Sequence, residues 1–510
     1  MVSRSRYGRP VFAALVLLAL AGIYLVAGRG QHAAAVRQHA QRAAQSDRAP
    51  VTSAVRVCPA VGSGAPTAAG VAVTALPAAT SAGSAVITRL TPGGSPTSGA
   101  VVATHTRPAV LQISNPPVAA PLTQAQQAGQ PGSSPGVITR AARGGVEVQA
   151  TGAMAQGLDV EQTGPGGLVT AQCSAPGTSF WFLGPGQAPA GTIQLYLANT
   201  GSVAADAQVS VVTDGTKGPP LLGNADNGIT VPPHGVVVQS LSQLLQSSKV
   251  VALNVTTSVG QVVAAVRESS SPGADGNWLP ATGAPAQHLV IPGMPGAPGP
   301  RSLYIAVPGT AAAQVKITAV TAKGSYQPTG GTGIDLLGGS ALSIPLPSLG
   351  GVPGAISISA TAPVVATMLA PGGPAATPGA LAAPAGPVLE QGVVADNPAG
   401  SAGRTELVLS APRHAASVRI TTATPTLAAS GQSGRVVQIG AGKSVVVPVV
   451  PPGGKAGAFS VIVTPLSGGP VYAGRVITSG GTVRSILAVR SSPTWIALPG
   501  VTESLSAFLH

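Results

Sequence analysis

Asp159 and Glu161 flank Val160, and in an extended segment their side chains fall on one face. Paired carboxylates of this kind can hold Ca2+ or divide acid and base roles, but two acids on a lone strand are expected to lie along a solvated edge. Gly440-Ala441-Gly442-Lys443-Ser444 ends like a phosphate-binding loop. Val437 stands where that motif requires its first glycine, and a valine-rich stretch follows in place of a helix N-terminus, so a hairpin turn is expected. The seven histidines (32, 39, 105, 234, 288, 414 and 510) are scattered singly, none in a nucleophile setting with Ser, Cys or a carboxylate. Asp226-Asn227-Gly228 resembles a fragment of an oxygen-rich cation loop and, alone, reads as a turn. No catalytic, cofactor-binding or metal-ligating residue is assigned, and no cofactor is expected.

The run Phe180-Trp181-Phe182 gathers three of the few aromatic residues, and Trp278 and Trp495 are the other two tryptophans. Exposed rings can stack on sugars, which makes Phe180, Trp181 and Phe182 a possible ligand platform; packing at a core or module junction is the bland alternative. Cys58 and Cys173 are the only cysteines. In an oxidising compartment an isolated pair is most simply a disulfide, with two separate buried thiols as the alternative. A metal site is disfavoured because neither cysteine has a second Cys or a His at ligand spacing.

The elements that must position these residues are strands. Of 510 residues, 68 are Gly and 49 Pro, only 8% are charged, and 44% are hydrophobic. Short valine- and leucine-rich runs broken by Gly, Pro and Asp read as strands joined by turns, so the exported part is expected to be all-β. Eight arginines (4, 6, 9, 29, 37, 42, 48 and 56) precede residue 57 and leave a dilute surplus of positive charge beyond it. With no basic cluster carrying interleaved aromatics there, nucleic acid is not expected as a partner.

Residues 11–27 form an unbroken apolar run after three arginines. Seventeen residues at 1.5 Å each reach about 25 Å, the lower limit for a bilayer span. The expected topology is a cytoplasmic basic tail at 1–10, a transmembrane signal anchor at 11–27, a stalk at 28–50 and an extracellular remainder, with a cleaved signal peptide as the rival. Membrane lipid is thus an expected partner through this helix.

Leu195-Tyr196-Leu197-Ala198 recurs as Leu303-Tyr304-Ile305-Ala306 and again as Leu407-Val408-Leu409-Ser410. A spacing of about 105 residues is too long for a solenoid repeat and marks tandem domains. The expected modules are 51–177 with long loops, 178–292, 303–400 and 401–510, with a Pro/Gly linker at 293–302. About seven strands per hundred residues, with turns every eight to twelve, fit immunoglobulin-like β-sandwiches.

Taken together, the basic start and span, Cys58-Pro59, Cys173 ahead of Phe180-Trp181-Phe182-Leu183-Gly184, Leu195-Tyr196-Leu197-Ala198-Asn199, Val231-Pro232-Pro233, Trp278-Leu279-Pro280 and the Trp495 segment resemble a family. It is an actinobacterial family of exported, membrane-anchored proteins known only as a numbered domain of unknown function. The resemblance implies a cell-envelope location and the pairing of Cys58 with Cys173, and it brings no reaction. The expected function is that of a non-enzymatic envelope protein whose β modules serve as scaffold or interaction surface toward cell-wall polymer or other envelope proteins. The alternatives are a carbohydrate-binding accessory protein and a hydrolase with a dispersed site.

Overall fold

The structure, a computed structural model, describes residues 48–497 except 59–68, 76–82, 92–99, 104–108, 114–144, 164–169, 187–190, 215–220, 223–227, 243–244, 246–247, 270–275, 297–298, 300, 347–350, 373–378, 401–402, 424–433 and 455–458. The expected span at 11–27 lies outside these residues. No helix among the described residues is long and apolar enough to cross a membrane. Two compact units are distinct: Met1–Pro50 with Trp495–His510, and Val51–Thr494. In the first, Arg48–Pro50 pairs antiparallel with Trp495–Ala497, so the end of the expected stalk is strand.

The second unit is all-β and holds four pairs of sheets. In chain order the first pair has strands Ser53–Cys58, Ala69–Thr74, Gly83–Arg89, Ala100–Ala103, Ala109–Ile113, Val146–Gly152, Asp159–Thr163 and Thr170–Gln172. One sheet takes them in the order first, sixth, third, fourth; the other takes fifth, second, seventh, eighth. The other three pairs repeat this order, beginning at Ser179–Pro185, Ala286–Met294 and Gly392–Asn397, and the second adds Ala281–Thr282 beside its first strand. In the third pair a single strand, Gly354–Ala370, runs through both sheets and serves as sixth and seventh. Alternation makes the layers: from Ala313 to Ala319 the buried positions are Ala313, Val315, Ile317 and Ala319, with exposed Gln314 and Lys316 between them, and the strand ends on Val320 and Thr321, buried on both faces. Val73 and Val160 from one sheet of the first pair meet Ala85 and Val148 from the other in a single buried cluster.

The outer faces are covered as well, always in the same sense. The sheet carrying the first strand of each pair lies against the sheet carrying the eighth strand of the next. Val57 and Leu90 of pair one pack on Ala198, Val236 and Val263 of pair two. Thr367 Oγ1 of pair three donates to the Leu183 carbonyl of pair two at 2.7 Å, beside a cluster that joins Tyr304, Ala306 and Val365 to the second core. Ser444 Oγ of pair four donates to the Val320 carbonyl of pair three at 2.7 Å. Pair four then meets pair one, where the Thr74 and Ser460 hydroxyls are 2.6 Å apart. A head-to-tail contact repeated with a rotation either propagates or closes, and in this unit four copies close into a ring.

The described ends of the expected 293–302 linker are packed into strands. Met294 ends a strand and is fully buried, and the buried Arg301 guanidinium donates to the carbonyls of Gly299 and Pro295. Gly293 adopts φ +82° and sits directly under pair four. A Cβ on Gly474 would lie 2.4 Å from the Gly293 Cα, so both positions need the absence of a side chain. Gly474→Ala is expected to cost about 1–3 kcal/mol by overpacking this junction; a thermal melt of the variant that matches the parent would contradict the close approach.

Candidate functional site

The eighth strands of the four pairs, Thr170–Gln172, Gly276–Leu279, Ala380–Ala382 and Thr482–Val489, come together at the inner side of the ring and line a cavity of about 80 Å3. Its apolar wall includes Phe182, Leu279, Leu381, Ile486 and Leu487, and its polar groups are Gln172, Ser174, Asn277, Trp278, Arg484, Ser485 and Arg490. No histidine and no carboxylate is among the described lining residues. Thr482–Val489 carries a bulge at Arg484, where Val483 pairs with Thr478 and Ser485 with Ile477; beyond it alternation sends Leu487 and Val489 into the core of pair four and Ile486 and Ala488 the other way. Arg490 Nη2 donates to the Ala281 carbonyl of pair two at 2.6 Å, while Arg484 is exposed. Asn277 Nδ2 reaches the Gly379 carbonyl at 3.1 Å, and the Trp278 ring lies tilted on Tyr196, centroids 5.2 Å apart.

Behind this wall stands a buried ion cluster that overturns the solvated-edge expectation for Asp159 and Glu161. They do share a face, but pair four covers it: Asp159 is 3% and Glu161 0% exposed. The Ala395 amide donates to Asp159 Oδ2 at 3.0 Å and to Glu161 Oε1 at 2.8 Å. Arg475 Nη1 binds Glu161 Oε2 at 2.7 Å, with both side chains wholly buried, and also donates to the Asp396 carbonyl. Gln172 Nε2, from the cavity wall, donates to Asp159 Oδ1 at 2.8 Å and so ties the cluster to the cavity.

Burial pushes the Asp159, Glu161 and Asp396 carboxyls up, and the Arg475 charge pulls all three back. Both Glu161 oxygens already accept hydrogen bonds, so an added proton would find no acceptor and the ionised form fits the geometry. Burial lowers the proton affinity of Arg56 and Arg490, an effect that the Asp159 charge opposes.

The other expected residues fall elsewhere. Cys58 and Cys173 form a disulfide with S–S 2.02 Å, joining the first strand of pair one to the residue after its eighth. Phe180 and Trp181 are half-buried against the second core and Phe182 is fully buried in it, so alternation splits the run and the three rings make no common exposed face. Only Phe182 reaches the cavity. Gly440–Ser444 is a tight turn with Gly442 at φ +68°, but it is not the expected hairpin: Arg435–Ile439 and Lys443–Val449 lie in different sheets of pair four, and the turn crosses from one to the other. Among the described residues no group of three His, Cys, Asp or Glu is placed to hold a metal. Asp226 and Asn227 lie outside the described residues.

Sequence reasoning did not single out Arg475, Arg484 or Arg490. Arg475 did carry a signal: it is the one charge inside the apolar strand Tyr472–Ser479, at an interior position of its sheet. The profile of a family described as a family of unknown function, DUF5719, matches residues 126–450. No curated protein matches the chain.

Two outcomes follow from the charges. Glu161→Ala leaves the Arg475 guanidinium buried without its carboxylate and is expected to cost about 3–5 kcal/mol, read by denaturant unfolding; the double variant Glu161→Leu with Arg475→Leu should lose much less. Glu268 is pushed up to about 7 by burial. Its folded pKa lies above the unfolded one, so the stability it contributes is present below about pH 4.5 and is lost as pH rises through 7. Melting temperature should therefore fall between pH 5 and pH 8, and Glu268→Gln should flatten that slope; an unchanged slope in this variant would refute the assignment.

Proposed function

The chain belongs to this family of unknown function, and from the geometry we propose that it is a non-enzymatic binding protein of the cell envelope that takes a small polar ligand in the cavity at the centre of its ring. The observation that carries this reading is the make-up of the cavity wall. It offers an indole, amides, hydroxyls and guanidinium groups on an apolar background, the usual composition of a binding pocket, and its described residues include no histidine or carboxylate to act as general base or acid. Sugars suit such a wall, because a ring face can lie on Trp278 while hydroxyls bond to Asn277, Gln172 and Ser174. The aromatic that matters is then Trp278 rather than Trp181.

The rest of the proposal concerns placement. Residues 11–27 serve as a single membrane anchor, the basic tail stays inside, and the four sheet pairs, read as immunoglobulin-like sandwiches, stand outside an actinobacterial cell. The apolar length of 11–27, its flanking arginines and the disulfide support that reading. Wall polymer is the natural source of a ligand there.

The test uses the full chain in detergent micelles and its intrinsic tryptophan fluorescence, titrated with soluble fragments of cell-wall glycan. A saturable change that survives Trp181→Phe and disappears in Trp278→Phe is expected. A titration that leaves the emission flat, or a response carried by Trp181 instead, would remove the cavity from the account.

A further inference from the structure

We infer that the ligand of the central cavity carries an oxyanion, a carboxylate or a phosphate on a sugar-sized body, and that Arg484 is the group that binds it. This rests on the binding reading above. Three observations lead here. First, among the described residues the wall contains two guanidinium groups and no carboxylate, so their charge is uncompensated by any described residue of the wall.

Second, the two arginines have different jobs. They stand six residues apart on an extended segment, which separates their Cα atoms by about 20 Å and assigns them to opposite ends of the cavity. Arg490 spends a donor on the Ala281 carbonyl, and the Asp159 carboxylate acts on its charge from behind, so it serves as a tie between pair four and pair two. Arg484 makes no ion pair with any described residue and is exposed at the other end, where its five donors remain available to a planar oxyanion.

Third, the neighbours of Arg484 suit the body of such a ligand. The strand Ala380–Ala382 lies between Gly276–Leu279 and Thr482–Val489, which brings Asn277 and Trp278 to the same wall. The cavity volume of about 80 Å3 corresponds to roughly five to eight water molecules at 10–15 Å3 of probe-occupied volume each, the size of one end group rather than of a chain. The geometry therefore points to recognition of a single acidic sugar unit: its ring is held by Trp278 and its charge by Arg484. The charged hydrogen bond is the term that sets selectivity over neutral sugars.

The experiment titrates the full chain in detergent micelles with glucuronate, glucose 6-phosphate and glucose, followed by calorimetry and by Trp278 emission. The expected result is that at least one of the two anions binds ten-fold or more tightly than glucose, and that raising the salt weakens it. Arg484→Gln should erase that preference, at unchanged melting temperature because the side chain is exposed. Which of the two anions wins assigns the group as carboxylate or phosphate. Equal binding of glucose and the anions, or anion selectivity that persists in Arg484→Gln, overturns the inference and leaves the binding reading standing. The inference also falls if wall fragments bind while all three sugars fail; if wall fragments fail as well, the binding reading falls with it.

Discussion

The ring in Val51–Thr494 depends on one contact, the place where its fourth sheet pair returns to its first. There Glu161 and Arg475, 314 residues apart in sequence, form a wholly buried ion pair, and the amide of Ala395 donates to Glu161 and Asp159 together. Removing two charges from water costs several kcal/mol each, and their attraction repays it only when the remaining donors and acceptors are satisfied. A pair of that kind adds little net stability over an apolar replacement. It strongly disfavours any register in which one partner is buried without the other, and at a closing junction register is what has to be fixed.

The other three junctions achieve the same geometry with different chemistry. Pairs one and two meet through valine and leucine, pairs two and three through an apolar cluster with one hydroxyl-to-carbonyl bond, and pairs three and four through two glycines whose backbones nearly touch. The geometry repeats although the side chains do not. Apolar surfaces tolerate small shifts, so three permissive joints can accumulate error that the last joint must absorb or reject. A charged joint at the point of closure rejects it, which gives a physical reason for the polar residues to be concentrated between pairs four and one.

Most strands were legible in the sequence because β alternation is a local property: Ile193 to Leu197, Val251 to Val255 and Ser460 to Val463 all fall inside strands of the structure. The cysteine pair was legible too, because two isolated cysteines leave few pairings. Asp159 and Glu161 were misread for the same reason that the strands were read well. Alternation says which residues share a face and nothing about what covers that face, and here the cover comes from residues 392–397 and 472–479. The ring and its cavity depend on contacts between pairs that no periodicity within one pair encodes. The aromatic run at 180–182 illustrates the point: Phe180 and Trp181 pack half-buried on the second core, Phe182 alone of the three reaches the cavity, and Trp278, at the end of its own pair, reaches it too.

The cavity itself follows from the edges of the sheets. In every pair the eighth strand is a sheet edge, and so is the first in all but the second pair, where Ala281–Thr282 is added beside it; an open edge offers unpaired N–H and C=O groups to any passing strand. Closing four pairs into a ring turns these edges inward and withdraws them from other chains. Their polar backbone then needs partners inside, and two of the polar side chains in the wall answer that need: Asn277 takes the Gly379 carbonyl and Arg490 takes the Ala281 carbonyl. A lining forced to be polar by its own backbone, on walls that are otherwise mostly alanine with valine, leucine, isoleucine and Phe182, is already close to the composition of a ligand site. One side chain left over from that internal accounting, Arg484, is enough to give it a preferred charge.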